Sequence, residues 1–352
     1  MRVCIPLCKG DSDIHNTWNP YVYTITDCIS GSYSDIEFSF NADIFTTNEI
    51  FAFDIIHIMW PNIFFFMENA SKYGHRLKEI KKEGIKIVST CHNLAPHYSN
   101  EDYKKDFYRI TYEESDLIIH LGQYSKEIFE KELPEINHLI IPHHVYDTVY
   151  TNLQKMQKGT RRYITCIGAF RDQEEIDLLK CAGKSLTFSH FFFLVPSLLI
   201  NIQRNRRNKL ALLWTVLKRY WLITRYHIVT LDKQWVNHED LSKYLNHSCI
   251  TFIQRKVNLN SGNLALGFLF GNVVVGPSIG NIGRILHNTG NPTFNPDEPN
   301  TIGKAIREAV RLLKEEKGKE NQAYALCHWT TQKIADMHYN VYKSLKQEKR
   351  SS

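Results

Sequence analysis

The chain has 352 residues, a formal net charge of +6 and a hydrophobic content of 43%. That length accommodates two domains of ordinary size with cores of their own, and no long low-complexity tract argues for a disordered or fibrous chain. The charge is mild: it admits an anionic small molecule or a lipid surface and does not call for nucleic acid.

The eight cysteines (Cys4, Cys8, Cys28, Cys91, Cys166, Cys181, Cys249, Cys327) form no C-x-x-C pair, and several lie in apolar runs. Free thiols in a reducing compartment are expected, not disulfides. Asp11 and Asp13 interrupt any apolar run before it could serve as a secretory signal. No apolar run reaches the roughly 18 residues of a membrane span. The nearest, Phe188 to Ile200, is interrupted by Ser189, His190, Pro196 and Ser197 and reads as a buried strand entering a helix.

In chain order, Arg2 to Leu7 reads as a strand, followed by a polar loop from Cys8 to Asn19 and a helix opening at Pro20. Further strands are expected at Asp35 to Phe40, Phe53 to Trp60, Ile85 to Thr90, Asp116 to Leu121 and His138 to Ile141. Helices at Phe64 to Lys82, Glu101 to Ser115 and Ser125 to Leu133 lie between them. Strands alternating with helical patterns indicate βαβ units on a parallel sheet. The polar stretch Asp147 to Thr160 reads as a linker.

A second alternating series follows, with strands at Tyr163 to Ile167, Phe188 to Phe193, Tyr226 to Leu231, Ser248 to Ile253 and Val273 to Val275. Asn201 to Arg225 is a helical candidate mixing Arg204, Arg206, Arg207, Lys209, Lys218 and Arg219 with leucines and tryptophans. It admits two readings: a helix lying on an anionic membrane, or an amphipathic helix packed on the sheet with a solvated basic face. The plainer, second reading is the expectation. The tail from Pro299 to Lys349 reads as two helices broken near Gly318.

The most informative stretch is Phe252 to Leu286. A strand ends in Arg255 and Lys256. Asn258, Asn260, Ser261 and Gly262 then open an apolar, buried helix at about Asn263 to Phe270. After the second strand comes a Gly-Pro-Ser-Ile-Gly-Asn turn, containing Pro277, Gly280 and Asn281, into another helix. In an open α/β sheet, ligands sit beyond the carboxyl ends of the strands, and helix-start N–H groups bind anions. Two consecutive strand ends with cations, amides and glycines point to a nucleoside-diphosphate site.

Leu259-Asn260-Ser261-Gly262, followed by Val275-Gly276-Pro277 and Gly280-Asn281, resembles the donor half of bacterial GT-B glycosyltransferases of the polysaccharide-biosynthesis type (family 4-like). Thr90-Cys91-His92-Asn93 similarly resembles their T-x-H-N segment, Asn19-Pro20-Tyr21 their N-P-Y, and Gly168-Ala169-Phe170-Arg171 their G-x-x-R turn beside the donor diphosphate. The resemblance implies an α/β chain of GT-B architecture, with two Rossmann-like domains whose parallel sheets face across a cleft. Residues 1–150 would bind the acceptor and 161–318 the nucleotide sugar. Residues 319–352 would form a helical segment packing back toward the N-terminal domain.

On this reading His92 and Arg255 are the catalytic candidates. A histidine can act as donor or base near neutral pH, and arginine matches a departing diphosphate. Gly168, Arg171, Asn260, Ser261, Gly262, Pro277, Gly280 and Asn281 would hold the donor; Asn19, Trp60, Asn93 and His97 would hold the acceptor. His57 is expected to share a strand face with Ile55 and Met59. His143 and His144 would mark the exit toward the second domain.

No metal is expected. Asp11-Ser12-Asp13 has a metal-binding D-x-D spacing but lies in the first loop, and the histidines lack a zinc pattern. No cofactor is implied beyond the nucleotide sugar as co-substrate.

The sequence departs from the family pattern where relatives place two glutamates seven residues apart. Asn258 and Leu266 stand there, and Arg284 stands where relatives often put a further glutamate. The implied activity is transfer of a sugar from a nucleotide-diphosphate donor to a carbohydrate or lipid-linked glycan acceptor in surface-polysaccharide (capsule) synthesis. The expected location is cytoplasmic, with room for peripheral contact at the inner membrane face. The alternatives are a degenerate homologue acting as a glycan-binding or partner subunit and a nucleotide-sugar 2-epimerase. A dehydrogenase is disfavoured because no G-x-G-x-x-G follows the first strand of either half.

Overall fold

The computed structural model describes residues 1–7, 20–67, 69–96, 102–150, 163–186, 189–198, 209–231, 233 and 235–351. The chain divides into two compact units, Met1–His144 with Trp329–Ser352, and Val145–His328.

The first unit runs β1 (Arg2–Ile5), α1 (Tyr21–Ser32), β2 (Glu37–Phe40), β3 (Ile55–Ile58), α2 (Ala70–Lys82), β4 (Lys86–Cys91), α3 (Asp102–Glu113), β5 (Leu117–His120), α4 (Gln123–Glu132) and β6 (Asn137–Ile140). Its six strands are all parallel, in the order β2-β1-β3-β4-β5-β6. The inner strands β3, β4 and β5 are buried almost throughout, because a parallel sheet is covered on both faces. Edge strands β2 and β6 are only half-buried.

The single helix expected from Phe64 to Lys82 is two elements. A 3₁₀ segment, Pro61–Met67, precedes α2. Asn69 starts α2 afresh by accepting the Lys72 N–H at 3.0 Å.

The second unit runs α5 (Asp147–Tyr150), β7 (Tyr163–Thr165), α6 (Gln173–Lys184), β8 (Phe192–Val195), α7 (Lys209–Tyr226), β9 (Ile228–Thr230), α8 (His238–Asn246), β10 (Ser248–Phe252), α9 (Gly262–Leu269), β11 (Val273–Pro277), α10 (Gly280–Asn288), β12 (Thr293–Phe294), α11 (Asn300–Lys314) and α12 (Lys317–His328). Its strand order is β12-β11-β10-β7-β8-β9, again all parallel. Counted from β7, this is the doubly wound order 3-2-1-4-5-6 read from the other edge. The direction of winding therefore reverses between β7 and β10.

Three expectations are corrected here. The stretch read as a linker opens with the short helix α5, and residues 151–162 lie outside the described residues. The tail holds three helices, because α13 (Thr331–Ser351) follows α12. The first break falls near Gly318 as expected, at Glu316, which adopts φ 58°. Gly318 lies inside α12, where a Cβ would stand 2.1 Å from the Gly271 carbonyl oxygen, so its role is close packing of helix on turn.

The third concerns α7, which leaves most of the apolar side chains of residues 213–226 in solvent. Leu213, Trp214, Leu217 and Trp221 are exposed, whereas Thr215, Leu222 and Tyr226 face the protein. Arg204, Arg206 and Arg207 lie outside the described residues.

Helix α13 belongs to the first unit and packs along α1. The Tyr33 and Tyr339 rings stack at 3.6 Å. The Tyr33 hydroxyl donates to Asp336 at 2.9 Å, and the Tyr339 hydroxyl donates to Asp35 at 3.0 Å. Lys346 bonds Asp54 at 3.0 Å. Among the described residues, no helix is long and apolar enough to cross a membrane.

Candidate functional site

The winding reversal in the second sheet places the turn after β7 beside the turn after β10. The first carries Gly168 to Arg171 and the second Gln254 to Lys256. Gly168 turns the chain at φ 95°, and a Cβ there would lie 3.2 Å from the Arg255 guanidinium. Only glycine takes that backbone conformation without strain while leaving the guanidinium in place. Asn263, at the start of α9, donates to the Ile167 carbonyl at 2.8 Å and pins the same turn from the other side.

Arg255, expected to face a diphosphate, is held by Glu175. Its Nη1 lies 2.7 Å from Glu175 Oε2, with side chains 11% and 2% exposed, and also donates to the Ala169 carbonyl at 3.0 Å. Lys256 pairs with Glu174 at 2.9 Å. Arg171 donates through Nη1 to the Val257 carbonyl at 3.1 Å, which lays its side chain across both turns.

Glu175 was not among the residues expected at this site. A local signal was available. Asp172-x-x-Glu175 is a capping-box pattern opening α6. Asp172 accepts the Glu175 N–H at 2.8 Å, and the Glu175 carboxylate reaches back to the Arg171 N–H at 2.9 Å. The carboxylate is thereby aimed at Arg255.

The other residues expected on the donor side converge where β10 and β11 end. Asn281, 1% exposed, donates through its amide to Asn260 Oδ1 at 2.8 Å and through its backbone to the Leu259 carbonyl at 3.0 Å. Ser261 is the N-cap of α9 and Gly262 its first residue, both half-buried. Pro277 ends β11 and is buried. Gly280 opens α10 at φ 58°, and a Cβ on it would stand 2.8 Å from the Asn258 carbonyl oxygen and 2.9 Å from that of Leu259.

Gly280→Ala is therefore expected to lower the unfolding free energy by at least the roughly 1–2 kcal/mol of a left-handed non-glycine residue. Urea titration of the full chain measures it. A loss below about 0.5 kcal/mol, the ordinary range of surface substitutions, would show that the turn yields and does not clamp.

In the first unit, His92 follows β4 between two aromatic rings. It stacks on Trp60 at 4.7 Å and 23°, and meets Tyr21 edge-on at 4.9 Å. Trp60, expected to offer its ring to a sugar, has one face covered by this imidazole. Burial, assisted by neighbouring His143 and His338, pushes the His92 imidazole down to about 3. It is neutral at neutral pH and suited to hydrogen bonding more than to taking up a proton.

The Asn93 carbonyl accepts the Tyr112 hydroxyl at 2.7 Å. His57 is fully buried and bonded at both nitrogens, to the Tyr342 hydroxyl at 2.6 Å and Thr90 Oγ1 at 2.8 Å. His143 and His144 pack their rings against Tyr21 at 4.7 and 5.1 Å, in a histidine cluster the sequence did not suggest. Asn19, His97, Asp11 and Asp13 lie outside the described residues. Among the described residues no group of histidine, cysteine or carboxylate side chains could hold a metal ion.

No protein-family model matches the chain, and no curated protein matches it in sequence. Solved structures do match in fold. Sucrose-phosphate synthase (tll1590) from Thermosynechococcus elongatus aligns with a TM-score of 0.66 at 12% identity, covering 98% of each chain. Anabaena Alr3699/HepE, solved in complex with UDP, aligns at 0.65 and 10% identity over 97% of this chain and 99% of that one. A putative UDP-N-acetylglucosamine 2-epimerase from Listeria monocytogenes aligns at 0.59 and 12% identity over 99% and 96%. The chain has the α/β GT-B glycosyltransferase fold, with two parallel six-stranded sheets.

Proposed function

We propose that the chain is a glycosyltransferase that binds a nucleotide-diphosphate sugar at the winding reversal of its second unit and passes the sugar to a carbohydrate or lipid-linked glycan acceptor. The observation carrying this reading is that the turns after β7 and β10 bring Gly168, Arg171, Arg255 and the start of α9 to one point of a doubly wound sheet. Ligands of such sheets bind there. The structural neighbour HepE, solved with UDP and with UDP-glucose, supports the same ligand class.

In the proposed roles, Arg171 and the N–H groups at the start of α9 stabilise the departing diphosphate, and Arg255 holds the Gly168 turn against it. Asn260, Ser261, Gly262, Pro277, Gly280 and Asn281 shape the donor pocket. In the first unit, Trp60 and Asn93, with Asn19 and His97, hold the acceptor, and His92 bonds it as a neutral imidazole. Surface-polysaccharide assembly is the process this chemistry would serve. The domain division proposed is residues 1–150 for the acceptor, 161–318 for the donor and 319–352 as the C-terminal helical segment.

A second reading, a degenerate homologue that binds a partner or glycan, is favoured by one observation. The buried acid of the donor side, Glu175, is already engaged by Arg255 and by the Arg171 N–H.

Calorimetric titration of the full chain with UDP, GDP, ADP, TDP and CMP separates the two. One nucleotide is expected to saturate. Arg171→Ala should weaken it about ten- to a hundredfold, the range for hydrogen bonds to a charged group. A folded chain that binds none of the five would favour the degenerate reading.

A further inference from the structure

We infer that α7 is a membrane-surface helix that lays its outer face into an anionic lipid bilayer. Thr215, Leu222 and Tyr226 are its buried positions, at 9%, 4% and 9% exposure. At about 100° per residue they fall within one seam roughly 40° wide. Leu222 and Tyr226 join the core formed with Leu178, Leu179 and Ala182 of α6. Across residues 213–226 this narrow seam is the whole of the helix's buried surface.

The opposite half of the helix is apolar. Trp214 is 71% exposed, Tyr220 67%, Val216 56% and Leu213 54%, with Leu217, Trp221 and Ile223 beside them. On the same wheel these seven residues fill an arc of about 180° centred away from the protein. Thr224, the one polar residue in the arc among residues 213–226, turns its hydroxyl inward to the Tyr220 carbonyl at 2.9 Å. A soluble protein rarely leaves so contiguous an apolar patch exposed without an interaction to serve.

Charge selects the occupant. Lys218 and Arg225 border one edge of the apolar arc and Arg219 the other, and Lys209 to Tyr226 contains no acidic residue. Long cationic side chains at both margins can reach lipid phosphates while the arc sinks below them, with tryptophan and tyrosine at headgroup depth. A two-fold contact of α7 with a second copy would instead set these cations against their own kind with no acid to answer them. A lipid surface carrying negative headgroups satisfies both the arc and its borders.

This inference rests on α7 alone and is independent of the proposed sugar transfer. The test is co-sedimentation of the full chain with vesicles of phosphatidylcholine and with vesicles of equal parts phosphatidylcholine and phosphatidylglycerol. The chain is expected to sediment with the mixed vesicles and to be released by salt. The double variant Trp214→Ser/Leu217→Ser should lose at least about tenfold in binding, since each buried methylene contributes about 0.8 kcal/mol. Lys218→Glu/Arg225→Glu should lose the preference for phosphatidylglycerol.

All four side chains point to solvent, so thermal melts of both variants should match the parent and exclude misfolding. Failure of the folded parent to sediment with either vesicle would overturn the inference, as would undiminished sedimentation of Trp214→Ser/Leu217→Ser. A dimer in light scattering that the same double variant splits, without vesicle binding, would assign the face to a second copy instead.

Discussion

Arg255→Ala is expected to destabilise the chain by about 3–5 kcal/mol, the usual cost of removing one partner of a buried ion pair. The Glu175 side chain is 2% exposed, and without the guanidinium its carboxylate keeps the Arg171 N–H as the one remaining partner in this network. A buried carboxylate so poorly compensated is expensive. Adding Glu175→Gln removes the uncompensated charge while keeping an acceptor for the Arg171 N–H. The double variant should therefore recover most of the loss.

Urea unfolding of the parent, both single variants and the double variant forms a cycle whose coupling term measures the pair. A single-variant loss below about 1 kcal/mol with no coupling would place the pair among those that contribute little. The result also governs how the proposed donor site is probed. Weaker nucleotide binding in Arg255→Ala would confound contact with collapse of the Gly168 turn. Arg171, which reaches a carbonyl across the same turns, is the cleaner probe.

Acid is expected to be at least as damaging. His57, His120, His144 and His338, all in the first unit, are fully buried. Burial holds each imidazole below its ordinary range: His338 at about 4, His120 at about 3, and His57 and His144 well below normal. The His57–His338 pair faces the Tyr342 hydroxyl, Thr90 Oγ1 and the neighbouring His92 imidazole. His120 faces His138 and feels the cation of Lys126. His144 lies against Tyr21, His143 and Thr331.

Above about pH 6.5 both folded and unfolded chains hold these rings neutral and the contribution to stability is complete. As pH falls below 6.5 the unfolded chain takes up protons that the folded chain refuses, and stability is lost until the folded values near 4 and 3 are reached. At pH 5.5, one unit below the ordinary value, each ring costs roughly 1 kcal/mol, so the four together cost several kcal/mol. That is comparable with the whole stability of an ordinary domain, about 5–15 kcal/mol.

Thermal melts at pH 7.5 and 5.5 should show a steep loss for the first unit. Neither ring nitrogen of His338 has a hydrogen-bond partner among the described residues. His338→Phe should therefore leave the stability at pH 7.5 intact and remove that ring's share of the acid loss. A melting temperature unchanged between the two pH values would show that the rings carry no such linkage.

The sheets were the most legible part of this protein. Apolar runs such as Ile55 to Ile58 and Val273 to Val275, set between helical patterns, can be satisfied only by parallel strands covered on both faces. Strand ends bearing glycines, amides and cations marked the donor-side turns for the same local reason, since small residues and free N–H groups are needed where the backbone meets an anion.

The partners of these residues were not legible, because pairing depends on strand order. β7 and β10 are more than eighty residues apart in sequence, yet are neighbours in the sheet. Only that adjacency sets Glu175 against Arg255. The same holds for His92, whose residue type suggested proton transfer. Its burial between Trp60 and Tyr21, made by β3, β4 and α1 together, leaves a neutral imidazole instead.

Helix α7 divides the two kinds of information most clearly. Its periodicity and basic character were readable in the sequence, but which face turns inward was not. An apolar arc is equally able to enter a core or to meet a membrane, and only the packing of Leu222 and Tyr226 decides between them. Sequence alone determined the strands, the helices and the chemistry available at their ends, because those follow from local patterns. Tertiary structure decided which charges neutralise one another, which histidines lose their protons and which apolar surface remains outside, because each depends on neighbours distant in the chain.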